Sequence, residues 1–270
     1  MPELPEVETT RLGLLPLTGQ TVSKVILRNP SLRWPIPQHL VETLPGQQLH
    51  GLKRRAKYIL AAFDSGTLIL HLGMSGRICL LQQDEAAQKH DHFEIHFRDG
   101  RILRLRDPRR FGAVLWTEGD TSQHVLLRAL GPEPLEDEFT GAWLYKQTRS
   151  RSAPTKNVIM DSTVVVGVGN IYASEALFRS GIGPGTPAQK LSKLRCQRLA
   201  EEIKLTLQEA LKAGGSSLRD FFGTDGNPGY FQQQYFVYGR TGQPCRKCGT
   251  TIQSIRLGQR STFYCVRCQK

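Results

Sequence analysis

Apolar and polar positions change their period partway along the chain. Residues 4–15 follow a loose helical pattern, with Leu4, Val7 and Leu14 on one side. Short β-rich segments come next: Val22 to Leu27, Tyr58 to Phe63, Thr67 to Leu72, His92 to Phe97 and Arg101 to Leu105. Phe93, Ile95 and Phe97 alternate with Glu94, His96 and Arg98, which is the period of a half-buried strand. Asp99-Gly100 reads as a hairpin turn and Asp64-Ser65-Gly66 as another. The first half is therefore expected to be mostly antiparallel β, a sandwich preceded by one helix.

Gly131-Pro132-Glu133-Pro134, followed by Glu136-Asp137-Glu138, breaks that pattern and predicts a domain boundary. Beyond it the period turns helical. Leu199, Ile203, Leu207 and Leu211 fall on one face, and Gly214-Gly215 follows as a stop. A shorter helix is expected from Asn170, read as its N-cap, to Gly181. The fold class is α+β.

Charge narrows the partner. The 270 residues carry 36 Lys and Arg against 24 Asp and Glu, a formal charge of +12. That excess points to a polyanion, because cations that neutralise phosphates release counterions. No run approaches the roughly 20 apolar residues of a membrane span. The acidic start lacks the apolar core of a secretory signal, so a cytoplasmic protein with no membrane partner is expected.

Four of the six cysteines form Cys245-x2-Cys248-x16-Cys265-x2-Cys268, the spacing of a four-thiolate zinc site. Four thiolates leave no position for water, so one structural Zn2+ is expected, not a catalytic one. Arg246, Lys247, Arg256, Arg260 and Arg267 stud the same segment and would present cations to phosphate. Gly167-Val168-Gly169-Asn170 precedes a helix, but Tyr172 stands where a dinucleotide fingerprint needs its third small residue. No nucleotide cofactor is expected. The turn could meet a phosphate at a helix N-terminus or be an ordinary cap.

Other stretches admit two readings. Met74 lies between glycines, and Arg109 stands near Phe111 in Asp107-Pro108-Arg109-Arg110-Phe111-Gly112; such residues are core packing or wedges into a base stack. Lys53 to Lys57 is a solvated basic edge, unless Lys57 reaches a reacting sugar. His90-Asp91-His92 shows no third metal ligand. The glycine-rich stretch 214–230 is a lid or a connector.

The front of the chain is the sharpest chemical signal. Pro2 is small enough for Met1 to be trimmed, which would expose a secondary amine beside the acid Glu3. A terminal amine with a pKa near 7.7–8.0 is partly unprotonated at neutral pH, unlike a lysine at about 10.4. A nucleophile with an adjacent acid is the minimal pair for covalent catalysis.

Together these pieces resemble the bacterial formamidopyrimidine-DNA glycosylase family, the purine-specific branch of its superfamily. The resemblance spans nearly the whole chain: the PELPEVE start, RRAKY at 54–58, HLGMSG at 71–76, KHDH at 89–92, DPRRFG at 107–112, VVGVGNIYASE at 165–175, DGNPGYF at 225–231 and the four cysteines. It implies a β-sandwich catalytic domain at 1–131, a linker region at 132–150, a helix-two-turn-helix domain at 151–235 and a zinc finger at 236–270. It implies a bacterial, nucleoid-associated enzyme that acts as a monomer on damaged double-stranded DNA, removing oxidised purines and cleaving the strand. Pro2 would be the nucleophile, Glu3 the proton donor, Lys57 the β-elimination residue and Arg260 the δ-elimination residue. Glu6 would be a supporting acid. His71, His90, Arg109, Arg151 and Asn170 would contact DNA, and Met74, Arg109 and Phe111 would fill the gap left by the extruded base. The stretch from Ser150 to Lys156 lacks a sharp motif. The rival readings are an endonuclease VIII-type enzyme acting on oxidised pyrimidines and a non-catalytic zinc protein that binds DNA.

Overall fold

The computed structural model describes residues 1–83, 85–215 and 235–270. The chain divides into two compact units. One takes Met1–Arg128 with the described residues of Ala213–Gln232, the other Ala129–Lys212 with the described residues of Gln233–Lys270.

In the first unit, helix α1 (Leu4–Leu14) is followed by β1 (Val22–Leu27), a short α2 (Leu40–Thr43) and seven strands. These are β2 (Gly51–Arg55), β3 (Tyr58–Phe63), β4 (Gly66–His71), β5 (Arg77–Leu81), β6 (Asp91–Phe97), β7 (Ile102–Arg106) and β8 (Ala113–Thr117). They form two antiparallel four-stranded sheets, ordered β1-β6-β7-β5 and β2-β3-β4-β8. One core joins the sheets with the helix: Val7 and Leu14 pack with Val25, Ile59, Leu70, Phe93, Ile95 and Leu105. Among the described residues no helix is long and apolar enough to cross a membrane.

Two chain crossings shape the functional end. In one sheet His71 pairs with Ala113, so β4 ends where β8 begins. In the other, Arg77 pairs with Arg106, so β5 begins where β7 ends. Loops 72–76 and 107–112 thus pass from sheet to sheet at the same end.

The alternation in β6 is real, but the strand is buried on both faces. Its polar face is a charge network and not a solvated one. Glu94 is fully buried and accepts Arg104 Nε at 2.5 Å, Arg28 Nη2 at 3.1 Å and an approach from His96 Nε2 at 2.9 Å. Asp91 takes Arg106 in a two-pronged pair at 2.5 and 2.9 Å. Burial works against the Asp91 charge, but these bonds hold its carboxyl below the usual range. Removing one partner of such a buried pair costs far more than the pair contributes.

The second unit holds α3 (Gly141–Thr148), α4 (Thr155–Ile159), α5 (Asn170–Ser180) and α6 (Lys193–Lys212), then a hairpin of β9 (Gln253–Leu257) and β10 (Arg260–Tyr264). The segment 132–150, expected as linker, is corrected here. It contains α3, which is capped by Thr140 Oγ1 accepting the Trp143 N–H at 3.1 Å and packs on α6. Leu199, Ile203 and Leu207 line the buried face of α6, as their spacing predicts. Asn170 is not the N-cap of α5. Gly169 occupies that position, which leaves the Asn170 side chain for other partners.

Candidate active site

In the first unit the N-terminus of α1 gathers acids. Pro2, Glu3 and Glu6 are all buried. Glu3 is the N-cap and Glu6 stands at N3, forming a capping box in which Glu6 Oε2 accepts the Glu3 N–H at 2.8 Å. The box fixes the helix start, and with it the residue before Glu3. The positive end of the helix dipole favours carboxylates here. Gly215 packs against Glu6: a Cβ added there would lie 3.2 Å from Oε1.

Lys57 sits in the two-residue turn between β2 and β3, where Arg55 pairs with Tyr58. Ala56 adopts φ 54°, a left-handed conformation that a non-glycine residue rarely takes. A polar strut supports it. Arg54 Nη1 donates to Ala56 O at 3.0 Å, and Arg54 Nε donates to Glu8 of α1 at 3.2 Å. Glu8 also takes Arg11 Nη2 at 2.6 Å. Burial opposes the Glu8 charge, but Arg11 and Arg54 outweigh it and hold its carboxyl below the usual range. The helix that Pro2 leads into therefore also braces the turn that carries Lys57.

His71 ends β4, its ring 4.8 Å from Tyr58. Burial, then the charges of Lys57 and Arg33, lower its pKa to about 4. The ring is neutral at physiological pH. Its Nδ1 accepts the Gly73 N–H at 3.1 Å, which leaves the proton on Nε2, available to donate.

Loops 72–76 and 107–112 meet without side chains between them. A Cβ on Gly73 would lie 2.3 Å from the Phe111 carbonyl carbon, and one on Gly112 would lie 2.7 Å from His71 O. This close backbone contact brings together the loops that carry Met74 and Phe111, which are 40% and 43% exposed, large apolar side chains facing solvent. The Arg109 guanidinium lies 5.1 Å from the Phe111 ring centroid. His90 precedes β6 at φ 77°. Asp91, beside it, is committed to Arg106, so the His90-Asp91-His92 run has a structural use for its carboxylate.

In the second unit, sequence reasoning missed Lys156. It is 1% exposed, and its Nζ donates to Asn170 Oδ1 at 2.7 Å, Thr262 Oγ1 at 2.8 Å and Ser261 O at 3.2 Å. Asn170 Nδ2 also donates to Ser261 O, at 3.1 Å. The N-terminus of α5 is thereby fastened to β10 beside the exposed Arg260. A lysine in a five-residue helix with no flanking motif gives no sequence signal for this. Arg151 is half-buried and ion-paired with Asp161 at 2.7 Å. Glu175, also missed, is buried and accepts the backbone N–H groups of Phe236, Val237 and Tyr238 at 2.8, 3.0 and 2.8 Å.

The sulfurs of Cys245, Cys248, Cys265 and Cys268 lie within 4.8 Å of one another and can hold a metal ion. The Cys245–Cys268 and Cys248–Cys265 separations are 3.9 and 3.5 Å. Tetrahedral bonds of about 2.3 Å require about 3.8 Å between sulfurs, so the donors fit. The crowding shows in their acidity. Burial and the three neighbouring sulfurs push Cys268 up to about 12, while hydrogen bonds from Thr250 bring Cys248 down to about 6. A bound dication would remove that conflict.

Comparison with known proteins agrees with the geometry. Residues 1–114 match the formamidopyrimidine-DNA glycosylase N-terminal domain, 130–222 its H2TH domain, and 242–270 the zinc finger found in FPG and IleRS. The chain is 65% identical over its full length to formamidopyrimidine-DNA glycosylase of Methylobacillus flagellatus, covering 97% of that protein. A Lactococcus lactis Fpg mutant in complex with Fapy-dG-containing DNA has a TM-score of 0.93 and 33% identity, with full coverage of both chains. A complex between the Lactococcus lactis Fpg and DNA containing an abasic site gives 0.93 and 33%, with 99% of each chain covered.

Proposed function

The chain belongs to the formamidopyrimidine-DNA glycosylase family, and from that premise we propose that Pro2, once Met1 is removed, is the nucleophile of a bifunctional DNA glycosylase and lyase acting on oxidised purines. The reading rests above all on the start of α1, where a buried proline and two buried carboxyls are locked by a capping box.

A base inside a duplex is out of reach, so the damaged nucleotide must leave the stack at a cost of a few kcal/mol. Met74, Arg109 and Phe111 enter the vacated space, offsetting that cost. His90 and His71 bind the backbone nearby, His71 through the Nε2–H of its neutral ring.

The imino nitrogen of Pro2 attacks C1′. The C1′–N bond breaks and its electron pair leaves with the base, which takes up a proton. Glu3 donates a proton to the sugar ring oxygen as the ring opens, and a Schiff base joins Pro2 to C1′. The iminium acidifies the C2′ proton. Lys57 assists its removal, and the 3′ phosphate departs by β-elimination. Arg260 assists the second, δ-elimination, which expels the 5′ phosphate. Glu6 holds the Glu3 N–H and so keeps the nucleophile and its acid in register.

The second unit would bind phosphate through Asn170, Arg151 and the basic finger. Zinc is the metal we assign to the four cysteines. Bound there with a closed coordination sphere, it holds the finger in shape and supplies no Lewis acid to the reaction. A single copy suffices, and a cytoplasmic enzyme on chromosomal DNA fits the charge.

Borohydride reduction during turnover tests the reading. The protein should become covalently joined to duplexes with 8-oxoguanine much faster than to duplexes with thymine glycol. The reverse preference would move it to the pyrimidine branch, and no adduct with either would remove the Schiff base.

A further inference from the structure

Asp107 opens the loop after β7 with no solvent exposure, yet its hydrogen bonds reach each loop that carries a residue proposed to enter the base stack. Its Oδ1 accepts the Ser75 hydroxyl at 2.8 Å, next to Met74, and the Arg109 N–H at 3.3 Å. Its Oδ2 accepts the Gly112 N–H at 2.7 Å, next to Phe111. Its N–H donates to His90 O at 3.0 Å, and its carbonyl accepts the Arg110 N–H at 3.2 Å and faces His92 Nε2 at 2.9 Å. His90 and Arg110 both hold left-handed conformations, at φ 77° and 55°. Such conformations persist only where surrounding bonds over-determine them.

We propose that Asp107 is a positioning residue: its carboxylate yokes the Met74 loop to the Arg109–Phe111 loop, so that the three side chains enter the vacated base position as one unit. The inference deepens the reading of the preceding subsection and depends on it. A carboxylate suits this task because it accepts several N–H and O–H donors at once and donates none, and bonds to an ionised acceptor are stronger than neutral ones. Asparagine cannot replace it, since its amide would turn a second donor toward either the Gly112 N–H or the Arg109 N–H. The carboxylate oxygens point into the loops, so the effect is on geometry and not on the reacting atoms.

The demand for gap filling separates this role from a general one. A duplex lesion requires the wedge; an abasic site in single-stranded DNA, with no partner strand and no base to extrude, does not. The variants are Asp107→Asn and Ser75→Ala, the second removing one hydrogen bond to the Asp107 carboxylate and the acceptance of the Arg109 N–H by the Ser75 hydroxyl at 3.3 Å. Two rates are measured: single-turnover excision of 8-oxoguanine from a duplex, and borohydride trapping on a single-stranded abasic site. The ratio of duplex to single-strand rate should fall at least tenfold in Asp107→Asn and about threefold in Ser75→Ala. A 2-aminopurine beside the lesion should report slower unstacking by a similar factor. Equal loss on both substrates would show that Asp107 merely holds the fold, and unchanged rates would show that it holds nothing that matters; either result overturns the inference. If Asp107→Asn does not fold, the Ser75→Ala ratio decides alone. Wild-type protein that fails to trap on either substrate would instead sink the catalytic reading, and this one with it.

Discussion

Buried charge is handled differently in the two units. In the first, Glu94 and Asp91 meet Arg28, Arg104 and Arg106, side chain to side chain across neighbouring strands of one sheet. In the second, Glu175 and Lys156 reach segments far away in sequence and bind backbone or neutral oxygens there, at 236–238 and 261–262. The first arrangement completes the face of a sheet that its own hydrophobic core already holds. The second staples a small hairpin flanked by four cysteines that can hold a metal ion, with little core of its own, to helices α4 and α5. A scaffold can tolerate charge that pairs locally, whereas a small module needs its charges to bridge segments.

Stripping the metal would strain this contrast most. With structural zinc worth on the order of 10 kcal/mol of folding, a strong chelator or Cys248→Ser should unfold the hairpin and reduce DNA affinity at least a hundredfold. The first unit should keep its sandwich, read by hydrogen exchange. Loss of protection in β6 and β7 on chelation would show that the two regions are not separately stabilised. Next in size is Arg104→Met, which leaves Glu94 and Asp91 short of a buried partner and should cost about 3–5 kcal/mol in urea unfolding. A cost near zero would mean that Arg28 and Arg106 suffice. Glu175→Ala should cost about 3 kcal/mol by orphaning three N–H groups, and should speed zinc release. A stable variant with normal zinc release would end the staple idea.

The smallest effect is a pH effect in the first unit. His71 has a folded-state pKa of about 4, below its ordinary 6.5, so the unfolded chain binds the extra proton between those values. Its share of stability is complete above about pH 6.5 and is lost as pH falls toward 4. Allowing for residual exposure, it amounts to roughly 2 kcal/mol. Substituting His71→Gln should flatten the melting temperature across that window. An unchanged slope would assign it to other groups.

The sequence made the elements with one clean period legible. Leu4, Val7 and Leu14 marked α1, and Leu199, Ile203 and Leu207 marked α6, because one buried face per element leaves a readable stripe. The same logic misled at β6, where the polar residues alternate correctly but are buried as ion pairs, a state that hydrophobicity alone cannot separate from exposure. Strand β2 was hidden because Lys53, Arg54 and Arg55 look like a solvated edge; what orders it is Glu8 and Arg11 of α1, far away in the chain. Strands β5 and β8 and those of the finger hairpin have five residues each, as β7 does, but lack the Asp99-Gly100 turn that marked β7. Among the candidate site residues, those in short dense motifs were visible, from Pro2-Glu3 to the four cysteines. Lys156 and Glu175 were not, since their meaning lies in partners about 60 to 105 positions away. The glycine-rich stretch 214–230, read as a lid or a connector, lies from residue 216 on outside the described residues.

The central claim is that the first imino group of the mature chain becomes bonded to C1′ of the damaged nucleotide. Mass spectrometry of the borohydride-reduced complex, after digestion, reads this directly. The account predicts the sugar remnant on the peptide beginning at Pro2, and no adduct when Met1 is retained. A remnant on Lys57 or any other internal lysine, or normal trapping by the Met1-blocked protein, would contradict it.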